Sequence, residues 1–199
     1  GGWEDAKEVI TMIHLLQADS ARLPLRDESV QCVVTSPPYW GLRDYGLGPN
    51  ALGLEPTPGL YVEHIVQIFR EVRRVLRKDG TVWLNLGDSF ASTGGDLNKR
   101  SNPKSVVGNN QRVWEESAHR TGNRVPPPGL KAKDLVGIPW RVAFALQADG
   151  WWLRSDIIWA KPNPMPESVT DRPTRAHEYM FLLSKSNRYY FDRDAVRTP

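Results

Sequence analysis

Apolar residues gather in short runs along this chain, and the spacing inside each run decides which element it predicts. Val9-Ile10-Thr11-Met12-Ile13-His14-Leu15-Leu16 is β-branched and apolar and closes at Asp19, which predicts a strand over 9–18; a buried helix gives the same short-range signal. Val30-Gln31-Cys32-Val33-Val34 is a compact strand pattern that stops at Thr35-Ser36-Pro37-Pro38, because proline cannot continue a ladder. Residues 41–59 hold five glycines and three prolines and read as a loop, with Thr57 and Pro58 marking a helix start. Val62, Ile65, Ile68, Phe69, Val72, Val75 and Leu76 then recur every three or four positions, one apolar stripe of a helix. Arg70, Arg73, Arg74, Arg77 and Lys78 fill its C-terminal half, where positive charge suits the helix dipole, and Gly80 supplies the stop.

Thr81-Val82-Trp83-Leu84-Asn85-Leu86 predicts the next strand, ending at Gly87-Asp88-Ser89. Periodicity is lost over 94–133 and returns with Ile138–Leu146, a short helix with proline in its first turn and Gly150 beyond its end. Trp151–Trp159 and Tyr179–Leu183 predict two more strands, the second turning at Ser186-Asn187-Arg188 into Tyr189-Tyr190-Phe191 as a hairpin. Strands alternating with helices predict an α/β chain whose sheet is mainly parallel, with one late antiparallel strand.

At 199 residues the chain suits one domain over 1–199. Eight Trp, six Tyr and five Phe exclude a disordered tail. No apolar run approaches the ~18 residues of a spanning helix, and the N-terminus shows no export signal. A single cysteine, Cys32, leaves no disulfide framework or thiolate zinc site, which fits a reducing cytoplasm. Cys32 itself, inside an apolar strand pattern, reads as a core residue. The four histidines are scattered, and His177-Glu178 lacks the second histidine of a zinc helix, so no metal site is expected. Residues 94–133 carry eight Lys and Arg against three acids, a local +5 in a chain of formal charge +3. They read as a mobile basic loop, either a track for a nucleic-acid backbone or a solvated surface. The chain begins without Met and ends abruptly at Arg197-Thr198-Pro199, the pattern of a fragment.

The chemistry concentrates in Thr35-Ser36-Pro37-Pro38-Tyr39-Trp40, at the carboxyl end of a buried strand, where open α/β sheets collect ligands. Two prolines fix the carbonyl directions, a small hydroxyl precedes them and an aromatic ring follows. That set can hold a planar amine: Ser36 and an adjacent carbonyl accept its hydrogens while Tyr39 stacks on the ring. The plainer reading is a proline turn capping a strand above a core tyrosine.

In its wider setting the stretch resembles the amino-group DNA methyltransferases, the N4-cytosine/N6-adenine family, whose signature is [Ser/Asp/Asn]-Pro-Pro-[Tyr/Phe/Trp]. The resemblance runs from Ser36 to Gly46 and through Trp83-Leu84-Asn85-Leu86-Gly87-Asp88-Ser89 and Ile138-Pro139-Trp140-Arg141. It continues in Asp156–Asn163 and His177-Glu178-Tyr179. Five blocks follow in the order of the circular arrangement, with the catalytic motif first.

The resemblance implies a Rossmann-like methyltransferase sheet, S-adenosylmethionine as cofactor and double-stranded DNA as partner, in a restriction–modification or phage system. It implies that Ser36, Pro37, Pro38 and Tyr39 are catalytic, gripping the exocyclic amine of an everted base without a covalent adduct. Serine at 36, rather than Asp or Asn, favours cytosine N4 over adenine N6. Asp19 matches the acid that contacts the cofactor adenine, or is an ordinary turn aspartate. Lys161 and Asn163 match the block lining the base pocket, or are plain turn residues, and Asp88 ends a third strand toward the same cleft. Trp40 and Arg43 open a glycine-rich loop that reads as a lid over DNA or as a solvated loop. The family's Phe-x-Gly-x-Gly cofactor loop and its ribose-binding acid are absent from the 199 residues. The sheet is therefore expected to be incomplete, finished by a missing C-terminal part of the same protein or by a complementing chain. A non-catalytic DNA-binding remnant is the competing expectation.

Overall fold

The computed structural model of the chain describes residues 12–42, 44–46, 48, 51–91, 126 and 128–197. In chain order its elements are β1 (Val30–Thr35), α1 (Pro58–Val75), β2 (Leu76–Leu86), α2 (Ile138–Ala148), β3 (Trp152–Ala160) and β4 (His177–Ser184). The strands form one sheet in the order β1-β2-β4-β3. β1 runs parallel to β2, and β4 is antiparallel to both β2 and β3. Three strands therefore share a direction and the last opposes them, as the sequence pattern predicts and in keeping with the Rossmann-like sheet that the resemblance implies.

The start of α1 follows its capping residues. Thr57 Oγ1 accepts the Leu60 N–H at 3.2 Å, and Pro58 occupies the first turn, where no N–H is needed. Tyr61, Ile65, Phe69, Val72 and Val75 form the buried face, with Val62 and Ile68 partly buried at its margin. The helix ends at Val75, earlier than the stop at Gly80 that the sequence predicts. Leu76 turns to extended backbone and is itself fully buried, so Arg77, Lys78 and Gly80 belong to β2. One β1 residue there faces four of β2, between the pairs Val30–Leu76 and Cys32–Thr81, and this irregularity absorbs the polar segment.

Strand register builds the core. Val82 lies opposite Leu183, Leu84 opposite Phe181 and Leu86 opposite Tyr179. These residues alternate along their strands, so they share one face of the sheet and meet the buried stripes of α1 and α2. The arginines of α1 clamp its flanks: Arg74 binds Glu71, Asp27 and the carbonyls of Leu23 and Leu25, while Arg70 pairs with Asp149 at the α2–β3 corner.

Four further expectations meet different outcomes. Residues 12–18 take no strand conformation: Met12, Ile13, Leu15 and Leu16 lie largely exposed, because β1 is the outermost strand of the described sheet and nothing beyond it pairs with them. Val9, Ile10 and Thr11 lie outside the described residues. Tyr189–Phe191 forms no hairpin strand. The chain instead crosses the β2 irregularity, with Tyr190 N–H donating to the Asp79 carbonyl at 2.9 Å. Cys32 is exposed rather than part of the core, since at this edge only alternate β1 residues such as Val33 reach it. Most of the basic stretch 94–133 lies outside the described residues. Of its charges, Lys131 pairs with Asp134 and Lys133 with Asp171. No helix among the described residues is long and apolar enough to cross a membrane.

Candidate active site

Strand direction decides which polar residues meet. β1, β2 and β3 deliver their carboxyl ends to one edge of the sheet, and β4, running the other way, brings its amino end there. Ser36, Asn85, Gly87, Lys161 and Glu178 therefore converge, although they span most of the sequence.

The Ser36-Pro37-Pro38-Tyr39 corner leaves β1 directly and is held from three sides. The Tyr61 hydroxyl of α1 donates to the Pro38 carbonyl at 2.9 Å. Burial, then the Glu55 charge, raises the Tyr61 pKa far above the ordinary tyrosine value, so the group stays a donor. Gly53, at φ +92°, lies so close that a Cβ there would meet the Tyr39 carbonyl at 3.1 Å. Beneath the corner the Tyr39 ring rests on Gly87, where a Cβ would lie 2.4 Å from the ring.

Tyr39 ends in a hydrogen-bonded cluster. Its hydroxyl lies 2.6 Å from Asn85 Oδ1 and 3.1 Å from Glu178 Oε2. Ser36 Oγ lies 3.2 Å from Asn85 Oδ1 and 3.3 Å from the Tyr39 hydroxyl. Asn85 Nδ2 donates to the Tyr179 carbonyl of β4 at 3.2 Å, and the Lys161 ammonium pairs with Glu178 Oε1. Burial raises the Tyr39 pKa above 10.0; the Ser36 hydrogen bond opposes this and the Glu178 charge adds to it. Burial also pushes the Glu178 carboxyl up, but Lys161, with Tyr39 and Asn85, outweighs it and holds the group below the usual carboxylate range.

The remaining candidates divide. Ser36 is exposed and Lys161 partly so, at the same edge; Asn163 is exposed just beyond Lys161. Asp88 is committed elsewhere. Its side chain is 1% exposed and accepts the N–H groups of Ser89, Gly137 and Ile138, capping α2, whose N-cap Gly137 has no side chain to do so. Trp40 is half-buried and its indole N–H donates to the Glu55 carbonyl at 2.9 Å, so it anchors the loop. Glu55 is buried, accepts the Gly53 N–H and lies 2.9 Å from His64 Nδ1, tying the same loop to α1. Asp19 is exposed and accepts the Ala21 N–H within its own turn at 2.9 Å. Arg43 lies outside the described residues. Among the described residues no group of three or more His, Cys, Asp and Glu could hold a metal ion.

Asn85, Glu178, Glu55 and Tyr61 have no role assigned from the sequence. An amide in Val82-Trp83-Leu84-Asn85-Leu86 and an acid heading the apolar β4 are the available signals, since polar side chains inside apolar strands need partners.

The family described as DNA methylase matches residues 30–199. Type II methyltransferase M.SmaI of Serratia marcescens is 50% identical over 181 residues, covering 88% of this chain and 56% of its own length. Type II methyltransferase M.Cfr9I of Citrobacter freundii is 52% identical over 176 residues, covering 88% and 54%. The chain thus spans about half the length of the curated relatives it matches. Among solved structures, the PvuII DNA methyltransferase (cytosine-N4-specific) superposes with a TM-score of 0.55 at 17% identity, over 91% of this chain and 53% of that one, a likeness of fold.

Proposed function

The chain belongs to the N6/N4 DNA methylase family, and from that premise we propose that it carries the base-binding half of a type II DNA methyltransferase acting on the cytosine N4 amine. The observation that carries this reading is the Ser36-Pro37-Pro38-Tyr39 corner, exposed at Ser36 and pinned elsewhere, at the edge where strand ends converge. Serine rather than an acid or amide at 36 supports cytosine over adenine. The type II relatives support a place beside a restriction endonuclease.

S-adenosylmethionine, when bound, supplies the electrophilic methyl carbon. The residues present fit it only in part: Asp19 stands as a single exposed acid with one oxygen already bonded to Ala21 N–H, and no Phe-x-Gly-x-Gly loop occurs in the chain. The chain's own residues act on the nucleobase.

An exocyclic amine is a weak nucleophile because its lone pair is delocalised into the ring. Ser36 Oγ accepts one amine hydrogen. The second acceptor is assigned to a backbone carbonyl of the diproline corner, whose Pro38 carbonyl also takes the Tyr61 hydroxyl. Two fixed acceptors draw the nitrogen toward tetrahedral geometry and return the lone pair to it, with little reorganisation at reaction. The Tyr39 face offsets the stacking that the everted base loses. Lys161, paired with Glu178, and the exposed Asn163 are assigned to the base pocket, and Arg43 to the DNA backbone.

The test is the nucleoside composition of unmethylated genomic DNA incubated with the full-length protein and S-adenosylmethionine. N4-methylcytosine is the expected product. N6-methyladenine would move the reading to the other base, and DNA binding without either product would favour a non-catalytic remnant.

A further inference from the structure

We infer that Asn85 is a positioning residue that sets the Ser36 hydroxyl rotor; the inference rests on the amine-gripping role proposed for Ser36 and concerns how that role is enforced. A serine hydroxyl rotates freely and offers a hydrogen as readily as a lone pair. Toward an amine, which presents hydrogens, only the lone pairs are useful. At this site the ambiguity is removed by a chain of donors and acceptors. Asn85 Nδ2 donates to the Tyr179 carbonyl at 3.2 Å, and a carbonyl can only accept. This fixes which end of the amide is which, so Oδ1 must face Ser36 and Tyr39.

Oδ1 then receives both hydroxyl groups, Tyr39 at 2.6 Å and Ser36 at 3.2 Å, which uses its two lone pairs. The other inward partner of Ser36, the Tyr39 hydroxyl at 3.3 Å, lies in the same direction. Either way the Ser36 proton points into the protein and its lone pairs face the cleft. The phenol stays protonated because burial raises its pKa, so Tyr39 keeps its hold on Asn85. The geometry is also economical: one β2 amide joins the β1 corner to the β4 backbone, so the acceptor direction is set by the sheet itself.

Aspartate at 85 would keep an acceptor for both hydroxyls, lose the donation to Tyr179 and the contact with Glu178, and add a charge that the Glu178 carboxylate opposes. Leucine would keep the shape and lose the acceptor. If Asn85 served only to tie β2 to β4, aspartate would do at least as much harm as leucine. If it sets the rotor, aspartate does less.

The experiment measures kcat and KM for methyl transfer to unmethylated genomic DNA in the full-length protein, for the wild type, Asn85→Leu, Asn85→Asp, Ser36→Ala and the Ser36→Ala/Asn85→Leu double variant. Asn85→Ala replaces Asn85→Leu should leucine prevent folding, with thermal melting as the check. The expected result is a kcat loss on the order of tenfold to a hundredfold for Asn85→Leu at nearly unchanged KM, in line with removing one preorganised contact. Asn85→Asp, which keeps the acceptor but sets a carboxylate beside Glu178, is expected to retain clearly more of kcat than Asn85→Leu. The double variant should lie within about twofold of Ser36→Ala, because residues acting as one unit are not additive. A loss for Asp at least as large as for Leu, or losses that multiply in the double variant, would overturn the rotor role while leaving the proposed function intact. A wild type that transfers no methyl group would instead remove the functional reading and this inference with it.

Discussion

At the level of single residues, the site depends on contacts with no room to spare. Gly87 is the clearest, because a Cβ would sit 2.4 Å from the ring of Tyr39. Gly87→Ala must displace that ring, and misplacement of about 1 Å at a reacting centre can cost on the order of a hundredfold in rate. Steady-state kinetics should show that loss in kcat while the melting temperature moves by only a few degrees. Glu178 makes a different prediction. Its folded pKa lies below the ordinary value of 4.5, so it contributes stability above that pH and loses it as pH falls through the folded value. Urea unfolding of Glu178→Gln should therefore be less pH-dependent than the wild type between about pH 5 and 3. An identical slope would show that the Lys161 pairing does not favour the carboxylate.

The diproline corner was legible in the sequence because its meaning is local: proline stops a strand wherever it stands. Asn85 and Glu178 were not, because their partners are fixed by strand order and by an antiparallel register that brings the start of β4 to the ends of β1 and β2. Asp88 shows the converse. An acid ending a strand looks available for ligand, but the first N–H groups of α2, 49 and 50 residues on, are satisfied by it.

Among the elements, α1 follows its sequence most closely at the start, where Thr57 and Pro58 act within one turn. Its end follows packing instead. Leu76 is drawn fully into the core, and the chain goes extended there even though basic residues continue to Lys78. The apolar stripe is what joins α1 to sheet and α2. Phe69, 2% exposed and edge-on to Trp151 with ring centroids 6.2 Å apart, is its bulkiest contact with the α2–β3 corner. Phe69→Ala should lower unfolding free energy by about 3–5 kcal/mol in chemical denaturation. A loss well under 1 kcal/mol would mean that the stripe does not carry the helix.

For the molecule as a whole, alternating strand and helix patterns were enough to read an α/β sheet with a late opposing strand. Residues 12–18 of the 9–18 run differ from their strand pattern because a strand also needs a neighbour, and β1 is the last in the described sheet. The same sheet gathers the candidate site: one edge collects a serine hydroxyl, an amide, a lysine–glutamate pair and a tyrosine ring from segments far apart in sequence. The central claim is that this edge makes a nucleobase amine reactive. Its most direct test compares the full-length protein with its Ser36→Ala variant, following tritiated methyl groups from S-adenosylmethionine into unmethylated genomic DNA and then into isolated nucleosides. The account predicts label in N4-methylcytosine for the wild type and a drop on the order of a hundredfold or more with alanine at 36. Undiminished transfer by Ser36→Ala would contradict it.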